Sequence, residues 1–592
     1  MSTVLSPPKV VLLAAHFTAT GDIASLASLA ASHGDALRKK LILRLLLTYL
    51  PSHLETEEYL PLLQSLESAD YSTFFPLQDI DASSVQSLTD EQATKKVRKL
   101  RLQPLSLPGA ESSLSSSRTS NGSAQQEKDP DAGEPEDPLA VFLIQRAYAV
   151  DDGSGALPEL PELFAPFLNR SYHLRTWTIS VLLPLLRRNC EYYPEAPLQQ
   201  TLADFEHLPD RLAVARLLSN TGSRDDLLRF VGRDLRGLIG PWLYNERRWT
   251  KRRGALTVES SSEQAESDGK DGEEAKGLSP SLCPGWEEVL LWLTTQAAKS
   301  WRVAAKAIEQ WDGPSDADLG GYGTMWLDES EQGYLERRYA RAVLACVYLL
   351  PEASEEALAA AHSIVSKIIG LLDQDPIPAL PADLSLLSPI SNTSDITALL
   401  SIRNAIYLRN DLLDEANALT SPTREATELL HALVLSASLL NKMGTSCTIR
   451  RAGELAVLQN EREQKSETAK VIHWIASNGP RTEDRYWIKA RNEILWLRDW
   501  GADDDWGAAE AAPTGNGVFG QVKREYIEVE LLKAMLANTR YSLARKLYEE
   551  SPDHPLPKEL VQETIFEAAM GAYDGASNPN RTRGGLKKCD DM

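Results

Sequence analysis

Apolar residues recur at three- and four-residue spacing along most of the chain, which is the period of one buried face of an α-helix. In "SPTREATELLHALVLSASLLNKMG", Leu429, Leu433, Ser436, Leu440 and Met443 fall near one face. Ser421 as N-cap, Pro422 at the first helical position, Lys442 in the last turn and Gly444 as C-cap predict a helix of roughly 22 residues there. "TDEQATKKVRKL" places Thr89 and Gln92 as a capping box in front of another helix. In "VFGQVKREYIEVELLKAMLANTRYSLARKLYEES", Val522, Tyr526, Val529 and Leu532 keep helical spacing. Asn538 and Thr539 then break the pattern and a second helix runs from Ser542 to Tyr548, an αα-hairpin. Pro184 lies inside the apolar run "TISVLLPLLRRN", where it removes a backbone hydrogen bond and predicts a kink.

Strand signals are almost absent, since no alternating β-branched run is bounded by turns. Three stretches have no such periodicity: 106–138, 250–280 and 501–517. Rich in Ser, Gly, Pro and acid, they bury too little apolar surface to offset chain entropy and read as unstructured inserts. The expected organisation is a helical block over 1–105, an insert over 106–138, helical solenoid over 139–249, an insert over 250–282 and helical solenoid over 283–592. No fixed repeat of the tetratricopeptide, ankyrin or WD kind is visible. The expected class is all-α, an irregular α-solenoid of stacked helix pairs.

Charge narrows the partners. Eighty-four acidic against 62 basic residues leave a formal charge of −22, which repels nucleic-acid phosphates and anionic lipid alike. No stretch of about 20 clean apolar residues exists to span a bilayer, so membrane association is expected only through partners. The five cysteines, Cys190, Cys283, Cys346, Cys447 and Cys589, are sparse and odd in number. That reads as reduced thiols, not a disulfide or zinc framework.

Candidate chemistry is thin. No P-loop, Rossmann fingerprint, HExxH or GxSxG occurs. "GGYGTMW", Gly320 to Trp326, has no strand before it and reads as a surface turn. Asp503, Asp504 and Asp505 lack the register of a calcium loop and read as a solvated acidic loop. His431 and His473 have no second histidine three or four residues away and read as core or boundary residues. Trp177, Trp242, Trp286, Trp292, Trp301, Trp474, Trp487 and Trp496 read as packing anchors. Cys589-Asp590-Asp591-Met592 has aspartates where a prenylation box needs aliphatics. The glycosylation sequons at Asn392 and Asn580 carry no weight in a cytosolic chain. No catalytic residue, cofactor or metal site is expected, and an interaction scaffold is favoured over an enzyme.

Several blocks carry a resemblance. "PPKVVLLAAHFTATGDIASLASL", "LRLLLTYLP", "VFLIQRAYAVDDGSG" and "YHLRTWTISVLLPLLRRNCEYYP" are similar to the secretory-pathway Sec-thirty-nine family. So are "NEILWLRDWG", "GVFGQVKREYIEVELLKAMLANTRYSLARKLYE" and "YDGASNPNRTRGGLKK". The match is colinear from about Pro7 to Lys588, and its specificity lies in the order of the blocks. Filamentous-fungal members resemble it most, and the neuroblastoma-amplified sequence protein is the animal relative. The resemblance implies an α-solenoid subunit of the Dsl (in animals NRZ) tethering complex. Such a subunit is peripheral, on the cytoplasmic face of the endoplasmic reticulum. It links other tether subunits to ER SNAREs as COPI vesicles return from the Golgi. Family members continue with more helices after "NRTRGG", whereas this chain stops within a dozen residues, as a truncated member does. The alternative class is a helical-repeat adaptor unrelated to tethering.

The segment Ala572 to Lys588 is expected to connect two helices, with Ile565 to Tyr573 ending the first. Gly575, Gly584 and Gly585 permit the turn, and Asn578 and Asn580 tolerate it. Arg581, Arg583, Lys587 and Lys588 are the candidate partner-binding residues. Capping of helix carbonyls is the favoured role and contact with an acidic partner the other, since cations near a helix C-terminus are stabilising.

Overall fold

The computed structural model describes residues 5–76, 80–106, 137–249 apart from 198, 246 and 247, and 283–378 apart from 324–326 and 328. It further describes 396–500 apart from 397, 481 and 482, and 515–592 apart from 553 and 578–580. Nearly all of the inserts expected at 106–138, 250–282 and 501–517 lies outside these residues, as do Asp503–Asp505, Asn392, Asn578 and Asn580. Among the described residues all regular secondary structure is helical and there is no strand. The all-α class is therefore correct. The chain divides into two compact units, one of Met1–Asn220, Asp234–Glu287 and Ala317–Leu327, the other of Thr221–Arg233, Glu288–Asp316 and Asp328–Met592.

In the first unit the helix Pro7–Thr20 begins with proline in its first turn and ends at Gly21, whose φ of 75° only glycine adopts cheaply. The next residue, Asp22, caps the helix Ile23–Ser32 by accepting from the Ser25 amide, so the joint takes two residues. Pro7–Thr20 packs on the helices Ile23–Ser32, Lys39–Tyr49 and Asp90–Val97. The last of these carries the expected capping box: the Thr89 hydroxyl accepts from the Gln92 amide, and the Gln92 side chain accepts from the Thr89 amide. Lys39–Tyr49 packs in turn on Pro138–Ser154. Arg146 of that helix is buried, donates to the Leu50 and Pro51 carbonyls (3.0 and 2.6 Å), and lies over the Tyr59 ring.

Residues 172–192 form one continuous helical run, but Pro184 does more than kink it. The run passes from α-helix (Tyr172–Trp177) to π-helix (Thr178–Leu182), back to α (Leu183–Leu186), then to π again (Arg187–Tyr192). Proline has no amide hydrogen and its ring collides with the carbonyl four residues back, here Ser180. A π turn places hydrogen bonds at five-residue spacing, as from the Leu183 amide to the Thr178 carbonyl. The same device recurs at Pro241, preceded by the π segment Leu235–Ile239.

In the second unit successive helices pack on one another. Trp301–Gln310 and Glu329–Leu349 both meet Glu355–Leu371, which meets Arg424–Lys442, which meets Ile449–Leu458. Further along, Glu461–Asn478 and Asp484–Asp499 pack on Arg524–Ala537, which packs on Tyr541–Tyr548 and Lys558–Asp574. The helix expected from Ser421 starts later, at Arg424. Its cap is Thr423, whose side chain accepts from the Ala426 amide, while Ser421 and Pro422 belong to the preceding turn. Its end matches a Schellman motif: Gly444 has φ 74°, its amide donates to Asn441, and the Thr445 amide donates to Leu440. Leu429, Leu433, Ser436, Leu440 and Met443 are all buried, as the spacing requires.

The face expected of "VKREYIEVELL" is displaced. The helix begins at Arg524, leaving Val522 in the preceding turn. Its buried side is Ile527, Glu528, Leu531, Leu532 and Met535, whereas Tyr526 and Val529 are only half-buried. Asn538 and Thr539 do break it, with Thr539 at φ 59°, and Tyr541–Tyr548 completes the hairpin.

Candidate partner-binding surface

The residues singled out for chemistry mostly turn out to hold the fold. Trp177, Trp242, Trp286, Trp301, Trp487 and Trp496 are buried, while Trp292 and Trp474 are half-buried. The cysteines are free. Burial pushes the Cys283 and Cys447 thiols up to about 12, which leaves them protonated and unreactive at neutral pH. Gly320, Gly321 and Gly323 all have positive φ in an exposed turn, held by the Asp318 carboxylate on the Gly320 amide and by Arg175 on the Tyr322 carbonyl. Thr324, Met325 and Trp326 lie outside the described residues.

His431 is the more informative histidine. Its ring sits 5.5 Å from that of His362, across the contact between Arg424–Lys442 and Glu355–Leu371. Burial, with the second ring beside it, lowers its pKa to about 4, and burial also lowers that of His362. The expected core or boundary reading suits His431, whereas His473 is exposed. Among the described residues no group of three His, Cys, Asp or Glu side chains could hold a metal. No helix among them is long and apolar enough to cross a membrane.

Sequence reasoning missed the buried and half-buried arginines, which have no spacing code. Arg248 donates from Nη2 to the Ser180 carbonyl (3.0 Å), the group whose α-helical donor Pro184 removes. Arg187 donates from Nη1 to the Gly237 carbonyl (3.0 Å), the group that Pro241 deprives in the same way, and to Asp318 O. Arg341 gathers the carbonyls of Asp414, Glu415 and Asn417. An arginine offers five donors in a fixed fork, so Arg187 and Arg341 each bond two or more backbone carbonyls at once. The prolines were the legible half of this arrangement.

The candidate binding residues lie in the terminal helix pair. Ile565 to Tyr573 does end a helix, Lys558–Asp574, but the connection is only 575–583. Lys587 and Lys588 belong to a further helix, Gly584–Asp591. The connection is shorter than expected because Gly584, at φ 72°, already starts that helix. A side chain at Gly585 would strike the Ala572 carbonyl and Ala576. Lys588 Nζ donates to the Ala537 carbonyl (3.4 Å) at the end of Arg524–Ala537, a capping contact. Arg581, Arg583 and Lys587 are exposed and form no ion pair with a described residue. A groove of about 690 Å³ separates these elements, lined by Lys533, Ala537, Glu567, Gly571, Gly585 and Lys588.

On its other side Lys558–Asp574 is bare. Phe566, Met570 and Tyr573 are 66%, 41% and 57% exposed, and the helix buries only Val561 and Thr564. The signal for this face is an apolar triplet at i, i+4 and i+7 in a helix whose opposite side already carries the packing residues.

The sequence matches the family profile described as secretory pathway protein Sec39 over residues 11–592. No curated protein matches the chain.

Proposed function

The chain belongs to the Sec39 (Sec-thirty-nine) family of secretory pathway proteins, and from that premise we propose that it is a scaffold subunit of a vesicle-tethering complex. In this reading it sits on the cytoplasmic face of the endoplasmic reticulum. There it links other tether subunits to ER SNAREs while COPI vesicles return from the Golgi. The observation that carries the reading is the extent of the family match, 11–592, which takes in both compact units. An all-helical build supports it, since stacked helix pairs offer long surfaces for holding proteins together. The buried cations also fit, because Arg146, Arg187 and Arg341 are occupied by backbone carbonyls.

The test is affinity purification of the full chain from its own cells after mild cross-linking, with the co-purifying proteins identified by mass spectrometry. Tether subunits and ER SNAREs should be the enriched proteins. Enrichment of an unrelated assembly, with neither class present, overturns the tethering reading in favour of another helical adaptor.

A further inference from the structure

We propose that the basic platform formed by the end of the Asp90–Val97 helix and the segment after it docks an acidic peptide segment of a partner protein. Residues 92–106 hold five cations, Lys95, Lys96, Arg98, Lys99 and Arg101, and no acid, in a chain whose formal charge is −22. All five are exposed, and none forms an ion pair with a described residue. Ala93 is buried and Val97 and Leu100 are half-buried, so the apolar side of the run faces the helix Pro7–Thr20 that packs on it and the charges point outward. The nearest acids in sequence are Asp90, which accepts from the Ser6 hydroxyl and lies 3.7 Å from Lys9 Nζ, and Glu91, at the opposite end of the helix. The helix dipole favours Lys95 and Lys96 in the last turn, but it fades within a turn and gives no reason for Lys99 and Arg101 beyond the cap.

The segment that carries the last of these charges is held in place. Arg44 donates from Nη2 to the Leu102 carbonyl and from Nε to the Gln103 carbonyl, both at 2.9 Å. The Gln103 amide donates to the Thr48 hydroxyl (3.0 Å), and Gln145 Nε2 donates to the Ser106 carbonyl (2.7 Å). The backbone is thereby fastened to Lys39–Tyr49 and Pro138–Ser154 by contacts that use none of the five cations, so little ordering is left to do on binding. The acidic remainder of the chain selects the occupant, because carboxylates are repelled by it and attracted here. An anionic bilayer fits less well. Among residues 80–106 no large apolar side chain is exposed to enter it, and a charge patch alone lacks the second signal that stable membrane binding takes.

The inference rests on the reading of the chain as a binding subunit, yet the two fail separately. Tether partners can co-purify through other surfaces with a chain whose basic platform binds nothing. The probe is a short fluorescein-labelled peptide of alternating Glu and Ser, titrated into the full chain at low salt and followed by anisotropy. The same peptide with Gln for Glu is the control. The acidic peptide should bind, more weakly as salt rises, and the control should not. K95E/K99E and R98E/R101E should each weaken binding at least about tenfold. K442E/K546E, which reverses two exposed cations outside the platform, should leave it unchanged. Circular dichroism checks the variants; should one platform pair lose helicity, the other decides. Absence of binding, equal binding of the control peptide, an equal loss in K442E/K546E, or binding unchanged in the folded platform variants overturns the proposal. So does binding that appears only in E127Q/D129N/D131N/E134Q/E136Q, since the occupant is then the chain's own acidic run. So does co-sedimentation with phosphatidylserine vesicles, abolished by the platform substitutions, in place of peptide binding.

Discussion

Arg248 shows how single residues hold this fold. It is half-buried, its guanidinium lying over the Trp242 ring (3.9 Å), and desolvation pulls its pKa down to about 9, against the opposing pull of Asp210. It remains charged at neutral pH. What offsets its burial is in part a carbonyl that Pro184 has stripped of its helical donor. R248M should therefore cost about 2 kcal/mol by urea denaturation, the usual consequence of orphaning a buried polar group. In the P184A background, where residue 184 regains an amide, the same substitution should cost about 1 kcal/mol less. Equal costs in the two backgrounds would show that the cation serves the Trp242 face and not the carbonyl. His431 gives a second test. Its folded pKa of about 4 lies below the unfolded value near 6.5. Above about pH 6.5 neither state binds the proton and stability is flat. Between about 6.5 and 4 only the unfolded chain binds it, so stability falls with falling pH by about 1.4 kcal/mol per unit, then levels off. H431Q should lose that slope, so the difference between the wild-type and variant urea-midpoint profiles should show it between about pH 6.5 and 4. Parallel profiles would place the pH dependence elsewhere, on the carboxylates.

At the level of elements, caps and breaks were legible and faces were not always. Thr89, Gln92, Gly444, Asn538 and Thr539 act locally, within a turn of where they stand, so the sequence alone locates them. Glu528 is different. It lies on the buried face of Arg524–Ala537 and accepts from Arg491 Nε and Tyr548 Oη, both at 2.9 Å. A glutamate on a core face defeats any count of apolar periodicity, which is why the expected face fell on Tyr526 and Val529. The partners that make its burial tolerable come from two other helices and are invisible in the local pattern. This carboxylate joins Asp484–Asp499, Arg524–Ala537 and Tyr541–Tyr548. E528A leaves the largely enclosed Arg491 cation without its carboxylate, and should cost about 3 kcal/mol in chemical denaturation. Adding R491M should return part of that loss, since no lone charge then remains. Failure of the second substitution to recover anything would assign the cost to lost packing instead. The exposed apolar triplet of the Lys558–Asp574 helix was missed for a related reason. Its triplet looks like a core stripe until the opposite side is known to be buried.

For the whole molecule, the helical class and the family were readable because both depend on the order of many weak signals over the full length. The exposed apolar residues were not, since they depend on which side chains remain uncovered after folding. The candidate cations show the same limit: Lys588 is used within the fold, while Arg581, Arg583 and Lys587 are exposed. Charge is the property that truly belongs to this scale. A formal −22 spread over the chain opposes compaction by self-repulsion. Against it stand surface ion pairs such as Lys306–Glu309 and Arg424–Glu428, each contributing little in high dielectric. Salt weakens both effects, and the magnitudes decide the sign. Raising ionic strength from about 0.01 to 0.15 M shortens the screening length from about 30 to 8 Å. That removes most of the long-range repulsion, while pairs in direct contact keep more of their attraction. The thermal midpoint in differential scanning fluorimetry should therefore rise with salt over this range. A midpoint that falls would mean that the paired charges outweigh the unpaired acidic excess.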